Sequence, residues 1–226
     1  LSTMTGEWAI ATTIAELATH ESGRIIVGFT GPPGAGKTTM AGRVATLLAR
    51  RLGPDAVGYL PMDGFHLSNA VLERLGRRDR KGAPDTFDVH GFVATLRRIT
   101  DADTVVYVPG FDHAAGEPIA AQLVIPSDAQ VVITEGNYLG LDAGWAAVRP
   151  LLALLYYVDA PDEVRTARLL KRHVAAGKTP EQSRAWIDDV DRPNATMIAA
   201  TRDRADAVID NAAGHSAREN ADARAT

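Results

Sequence analysis

Residues 31–38 read Gly31-Pro32-Pro33-Gly34-Ala35-Gly36-Lys37-Thr38 and satisfy G-x-x-x-x-G-K-[ST] at every fixed position. No other stretch restricts the fold so strongly, because such a loop belongs between a buried strand and the first turn of a helix. Both neighbours are present. RIIVGFT (24–30) is a continuous apolar run suited to a strand covered on both faces, and a helical pattern follows over 37–51. The glycines let the backbone wrap a phosphate with several N–H groups turned inward, and the helix adds its positive amino end. Lys37 would bring charge to the β and γ phosphates, and the Thr38 hydroxyl would hold Mg²⁺. The expected nucleotide-binding positions are Gly31, Gly34, Ala35, Gly36, Lys37, Thr38 and Thr39, with ATP and Mg²⁺ as cofactors.

Four further runs resemble the first: AVGYL (56–60), TVVYV (104–108), QVVIT (130–134) and LLYYV (154–158), while DAVID (206–210) can add a last strand. Between them, 37–51, 89–100, 142–152 and 161–176 are long enough for crossover helices. The alternation predicts an α/β fold, a doubly wound and mostly parallel sheet with helices on both faces. One domain over 23–210 is expected, behind an amphipathic N-terminal helix within 1–22 and ahead of a tail, 211–226, poor in large apolar residues. The formal charge of −4 gives no overall basic field, which argues against a nucleic-acid backbone or an anionic membrane as partner. The chain has no cysteine, so thiolate catalysis and disulfides are excluded. No segment reaches the ~20 apolar residues of a membrane span, and the first residues lack a basic run ahead of an apolar core, so a cytoplasmic protein is expected.

A phosphate loop serves GTPases, transport ATPases and small-molecule kinases alike, so other features must decide. The chain has no Asn-Lys pair from which to build N-K-x-D for guanine and no L-S-G-G-Q of a transporter ATPase. Three acids stand just after apolar runs, and one of them, Asp159 in LLYYVDAPDE, is read as shaping the helix start at Ala160-Pro161-Asp162-Glu163. Glu135, in VVITEGNYLG, stands where a phosphate-loop enzyme keeps a metal-side carboxylate, provided its strand lies beside 24–30; the other reading is a helix cap or surface acid. Asp63, in YLPMDGFHL, is open to three readings, a cap, a metal ligand or a base, and Gly64 after it would give the loop freedom. Arg77, Arg78, Arg80 and Lys81 form a basic run that either meets an anionic group of an acceptor or keeps a loop soluble. Phe87, Phe111 and Tyr138 either line an acceptor pocket or belong to the core, and His66 and His90 have no partner visible in sequence.

Three stretches, DGF (63–65), KGAPDTFD (81–88) and EGN (135–137), resemble the phosphoribulokinase, uridine kinase and bacterial type I pantothenate kinase group of phosphate-loop kinases. The resemblance runs from about residue 24 to 210. It implies that Asp63 is the base that prepares the acceptor hydroxyl and that Glu135 serves the metal or positions the substrate. It also implies a small helical lid at about 165–182, whose Arg172, with Arg168 one turn earlier, contacts the transferring phosphates. VPGFDH (108–113) is similar to two acceptor segments of the group, matching one through Asp112 and the other through His113. Asn194 and Arg202 to Arg204 match a late stretch of the pantothenate kinases. Family members are often dimers, so a homodimer is the assembly the resemblance implies.

The expectation is thus an ATP-dependent kinase acting on a hydroxyl of a small metabolite of pantothenate, nucleoside or sugar type. Asp63, Arg80, Phe87, Asp112, His113 and Tyr138 are the expected acceptor-side residues. The alternative is a nucleotide-binding ATPase or regulator with no metabolite acceptor.

Overall fold

The computed structural model of the protein describes residues 2–4, 6–21, 23–142 and 144–212. Six strands form one sheet in the order β1 (Ser2–Met4), β8 (Ala207–Asp210), β7 (Leu154–Asp159), β2 (Ile25–Thr30), β6 (Val131–Glu135), β3 (Val57–Pro61). Every pairing in it is parallel. β2 and β6 are buried along their whole length, as strands covered on both faces must be, and this explains their unbroken apolar sequence. This is the doubly wound parallel α/β arrangement expected from the sequence.

Two cores sandwich the sheet. On one face α1 (Glu7–His20) and α2 (Lys37–Leu52) bury Ile10, Ile14, Met40, Val44 and Leu48 against Val27, Phe29, Ile133 and Tyr156. On the other, α4 (Val89–Asp101) buries Phe92, Leu96 and Ile99 with Trp145, Tyr138 and Leu60. α4 starts where Asp88 accepts a hydrogen bond from the Gly91 N–H, a side-chain cap for one of the helix's unpaired donors. At the amino edge of the sheet, Arg24 donates to the carbonyls of Ala129, Ile99, Pro126 and Ser127, tying β2 to the α4 side far from the phosphate loop.

Two expectations need correction. The run 104–108 does not join the parallel sheet: β4 (Val106–Asp112) pairs antiparallel with β5 (Glu117–Ile125) as a separate hairpin. Val106 and Val108 are buried and Tyr107 between them is 59% exposed, so only one face is covered, the alternation of an antiparallel ribbon. The segment 142–152 is not a crossover helix. Gly144 has φ of +92° and Pro150 lacks an N–H, and the backbone closes three-residue turns instead, with Trp145, Val148 and Leu151 donating to Asp142, Trp145 and Val148. These turns seat the Trp145 side chain, 1% exposed, under α4.

After α3 (Asn69–Arg74), the short turns at 78–80 and 84–86 carry the chain to α4. α5 (Asp162–Ala175), α6 (Pro180–Trp186), a π-helical stretch Ile187–Asp191 and α7 (Arg192–Ala199) form an arm between β7 and β8. The tail expected over 211–226 lies, beyond residue 212, outside the described residues, and Asn211 at its head is buried. Among the described residues no helix is long and apolar enough to cross a membrane.

Phe92 is fully buried and packs edge-on against Phe65, with ring centroids 5.0 Å apart, as well as against Trp145. Phe92→Ala should lower the unfolding free energy by about 3–5 kcal/mol, read from urea denaturation. A loss below about 1 kcal/mol would mean that this face of the sheet is not packed as described.

Candidate active site

The phosphate loop leaves β2 at its carboxyl end. Gly31, Gly34 and Gly36 all take positive φ, and at Gly31 the reason is close approach: a Cβ would stand 2.2 Å from the Val158 carbonyl oxygen. The loop is held from behind. Asn211 Nδ2 donates to the Ala35 carbonyl at 2.7 Å, and Arg168 donates to the carbonyls of Gly34, Ala35 and Asn211. Lys37 is buried with its Nζ donating to the Pro32 carbonyl at 3.2 Å, while Thr38 and Thr39 are exposed at the start of α2.

Because β6 is the immediate neighbour of β2, with Glu135 in register opposite Phe29, the Glu135 carboxylate comes to the loop. The Thr38 hydroxyl donates to Glu135 Oε2 at 3.1 Å. Tyr59 on β3 also bonds Glu135. β3 lies on the other side of β6, and the chain turns out of it through Met62–Phe65, which carries Asp63. Asp63 caps no helix. Its carbonyl accepts from the His66 backbone N–H and from His66 Nδ1 at 2.9 Å, while its carboxylate makes no hydrogen bond among the described residues. Gly64 is required by packing rather than freedom, since a Cβ there would lie 2.5 Å from the Pro109 carbonyl oxygen.

These groups share one cleft of about 750 Å³, lined by Lys37, Thr38, Asp63 and Glu135 at one end and by residues of the 66–87 segment, the β4–β5 hairpin and the α5–α6 arm at the other. Burial pulls the Lys37 ammonium down to about 8, against the opposing pull of Glu135 and Asp63. Burial also pushes the Glu135 carboxyl up to about 7, and the Asp63 charge adds to the rise while Lys37 works against it. The three groups are therefore in mutual electrostatic contact. A small hard cation fits this donor set: a hydroxyl and a carboxylate oxygen sit together, and Mg²⁺ takes few protein ligands when phosphates and water supply the rest. Among the described residues there is no group of three or more His, Cys, Asp or Glu that could hold a metal unaided.

Of the acceptor-side residues expected from sequence, Asp63, Phe87 and His113 line the cleft and Arg80, Asp112 and Tyr138 do not. Arg80 is engaged in a two-pronged ion pair with Asp85, at 2.5 and 2.6 Å. Asp112 Oδ1 accepts the N–H groups of Ala114 and Ala115 and shapes the hairpin turn. Tyr138 is buried behind the wall, its hydroxyl donating to the Gly82 carbonyl. Arg172 lines the cleft from α5, whereas Arg168 braces the outside of the phosphate loop. The structure adds His66, stacked between Phe87 and Phe111 with centroids 4.0 and 4.8 Å away, and a buried His173–Asp191 pair at 2.8 Å. Burial lowers the His66 pKa. A lone histidine gives no sign of such stacking, and the His173 partner lies 18 residues on, past two helix breaks.

Residues 26–216 match the Phosphoribulokinase / Uridine kinase family. A candidate uridine kinase of Schizosaccharomyces pombe is 33% identical over 193 residues, covering 81% of either chain. Among solved structures, a candidate fructose transport system kinase from Silicibacter sp. TM1040 superposes with a TM-score of 0.82 at 34% identity, covering 90% of this chain and 98% of that one. YFH7 of Saccharomyces cerevisiae, described as a candidate P-loop kinase with a circular permutation, gives a TM-score of 0.78 at 19% identity, covering 91% and 98%, a likeness of fold alone.

The displaced pKa of Glu135 has a measurable consequence in the nucleotide-free protein. Its folded value, about 7, stands above the ordinary 4.5, so its contribution favours folding fully below 4.5 and is lost as pH rises through 7. Lys37 runs the other way, its contribution present above 10.5 and lost as pH falls through about 8. Wild type should therefore lose stability relative to Glu135→Gln between pH 5 and pH 8, by urea denaturation. Wild-type stability that stays constant or rises relative to Glu135→Gln across that interval would contradict the burial of this carboxylate.

Proposed function

The chain belongs to the Phosphoribulokinase / Uridine kinase family, a kinase family, and from that premise we propose that it transfers the γ-phosphoryl group of ATP to a hydroxyl of a small metabolite. The observation that carries this reading is the meeting of Lys37, Glu135 and Asp63 in one cleft at the carboxyl ends of three adjacent strands. Open parallel sheets bind ligands at this edge, where the strand order reverses. The names of the Schizosaccharomyces pombe and Silicibacter relatives support a small-molecule acceptor and differ on which one.

In this reading the backbone N–H groups of residues 34–38 and the amino end of α2 hold the phosphates, and Lys37 moves from the Pro32 carbonyl to phosphate oxygens. Mg²⁺, held through Thr38 and Glu135, would neutralise charge on the β and γ phosphates. Asp63 accepts the acceptor hydroxyl proton as the new oxygen–phosphorus bond forms and the bond from the γ phosphorus to the β,γ-bridging oxygen breaks, leaving ADP. Three features support Asp63 as the base: its carboxylate is free of hydrogen bonds among the described residues, its side chain is 41% exposed, and it opens on the cleft. Glu135, buried and engaged by Thr38 and Tyr59, suits the metal side instead.

The α5–α6 arm is proposed as the lid. Arg168 and Arg172 lie one helical turn apart, and the first grips the phosphate loop while the second faces the cleft. Arg172 is positioned to meet charge on the transferring group, and the His173–Asp191 pair fixes its helix to the segment before α7.

Asp63→Asn keeps the size of the side chain and removes its basicity. Its kcat should fall by about 10²–10⁴-fold with the KM for ATP unchanged, measured with an ADP-coupled assay over a panel of hydroxylated metabolites. Turnover within threefold of wild type would remove Asp63 from the role of base.

A further inference from the structure

We propose that the acceptor half of this cleft holds an anion subsite centred on Arg78, so that the molecule phosphorylated carries an oxyanion group, carboxylate or phosphate ester, as well as its reacting hydroxyl. The inference rests on the kinase reading and deepens it.

Three of the four are already engaged. Arg80 makes its two-pronged pair with Asp85, and Arg77 donates to the Asp85 carbonyl at 3.0 Å with its carboxylate 3.5 Å away. Lys81 is 10% exposed at its side chain; its ammonium donates to Asn69 Oδ1 and to the Gly116 carbonyl, with Glu117 at 3.9 Å. Glu117 in turn accepts the Asn69 N–H, so Lys81 and Glu117 cancel within a brace between α3 and the β4–β5 hairpin. Arg78 alone of the run has no hydrogen bond or ion pair among the described residues, and it lines the cleft. Asp79 beside it does not line the cleft.

The surroundings of Arg78 favour an anion. The acids that line the cleft are Asp63, Glu135 and Asp191; the first two face the phosphate end, and Asp191 is paired with His173. The uncompensated charge at the acceptor end is therefore positive. Phe87, His66 and Phe111 line the same cleft as Asp63 and Arg78, with the His66 ring against both phenylalanines and Lys81 over the Phe111 ring at 5.6 Å. An acceptor in this cleft that presents its hydroxyl to Asp63 has Arg78 among the groups lining the same space to receive its oxyanion. A guanidinium offers paired N–H donors that match the two oxygens of a carboxylate or the face of a phosphate, a recognition that an uncharged polyol or nucleoside cannot return.

Matched acceptors test this: a sugar, its aldonic acid and its phosphate ester, with a nucleoside as an uncharged control, each assayed with ATP for kcat and KM. The account expects kcat/KM for an anionic member to exceed that of its uncharged parent by about 10- to 100-fold. The two anionic acceptors separate the carboxylate from the phosphate source. Arg78→Gln should remove most of that advantage through KM, leaving kcat, the KM for ATP and the uncharged acceptors unaltered, and Arg78→Lys should restore part of it. The side chain is exposed, and thermal melting of both variants checks that the fold is intact. Preference for the uncharged members, or an equal effect of Arg78→Gln on charged and uncharged acceptors, overturns the anion subsite and leaves the kinase reading in place. Failure of wild type to phosphorylate any member while it binds ATP overturns both.

Discussion

The contact on which the rest depends is the hydrogen bond from Thr38 to Glu135, because it joins the phosphate loop to the neighbouring strand. It exists only because β6 lies directly beside β2 although a hundred residues separate them in sequence. With β3 on the far side of β6, the same placement brings Asp63 to the cleft. Two carboxylates and an ammonium then share one cleft in which Lys37 and Glu135 are buried. Burial costs of that size persist in proteins where the group has work to do, and a bound cation and triphosphate would supply the missing counter-charges.

The phosphate loop is also held from the opposite side. Asn211, just past β8, and Arg168, on α5, both bond loop carbonyls, so the loop is fastened to elements from the end of the domain. α5 serves two tasks one turn apart, gripping the loop at Arg168 and facing the cleft at Arg172. A shift of this helix would be felt by the loop and the cleft together. Its other restraint is the buried His173–Asp191 pair, made where the helical winding loosens at Ile187–Asp191, a kind of irregularity common at functional sites.

Much of this could be read from the sequence, for local reasons. The phosphate loop announces itself because glycine spacing, lysine and hydroxyl must all be right within eight residues, and the buried strands announce themselves through unbroken apolar runs. Position along the sheet was only conditional, since the role of Glu135 turned on which strand lay beside β2. The run 104–108 looked like another buried strand until its neighbour, EPIAAQLVI, proved to be its antiparallel partner, and that segment has no strong strand pattern of its own. The acceptor wall was the least legible part. Arg77, Arg78, Arg80 and Lys81 are indistinguishable in sequence, and only the partners Asp85, Asn69 and Gly116 separate the engaged cations from Arg78, which has none among the described residues.

The central claim is that this cleft moves a phosphoryl group to a hydroxyl rather than to water. Phosphorus-31 NMR of the protein with ATP, Mg²⁺ and a mixture of hydroxylated metabolites follows that fate directly. The account predicts a phosphomonoester resonance growing in step with ADP and carrying the phosphorus lost from the γ position. ADP accompanied only by inorganic phosphate, whatever the acceptors present, would contradict it and make the protein an ATPase.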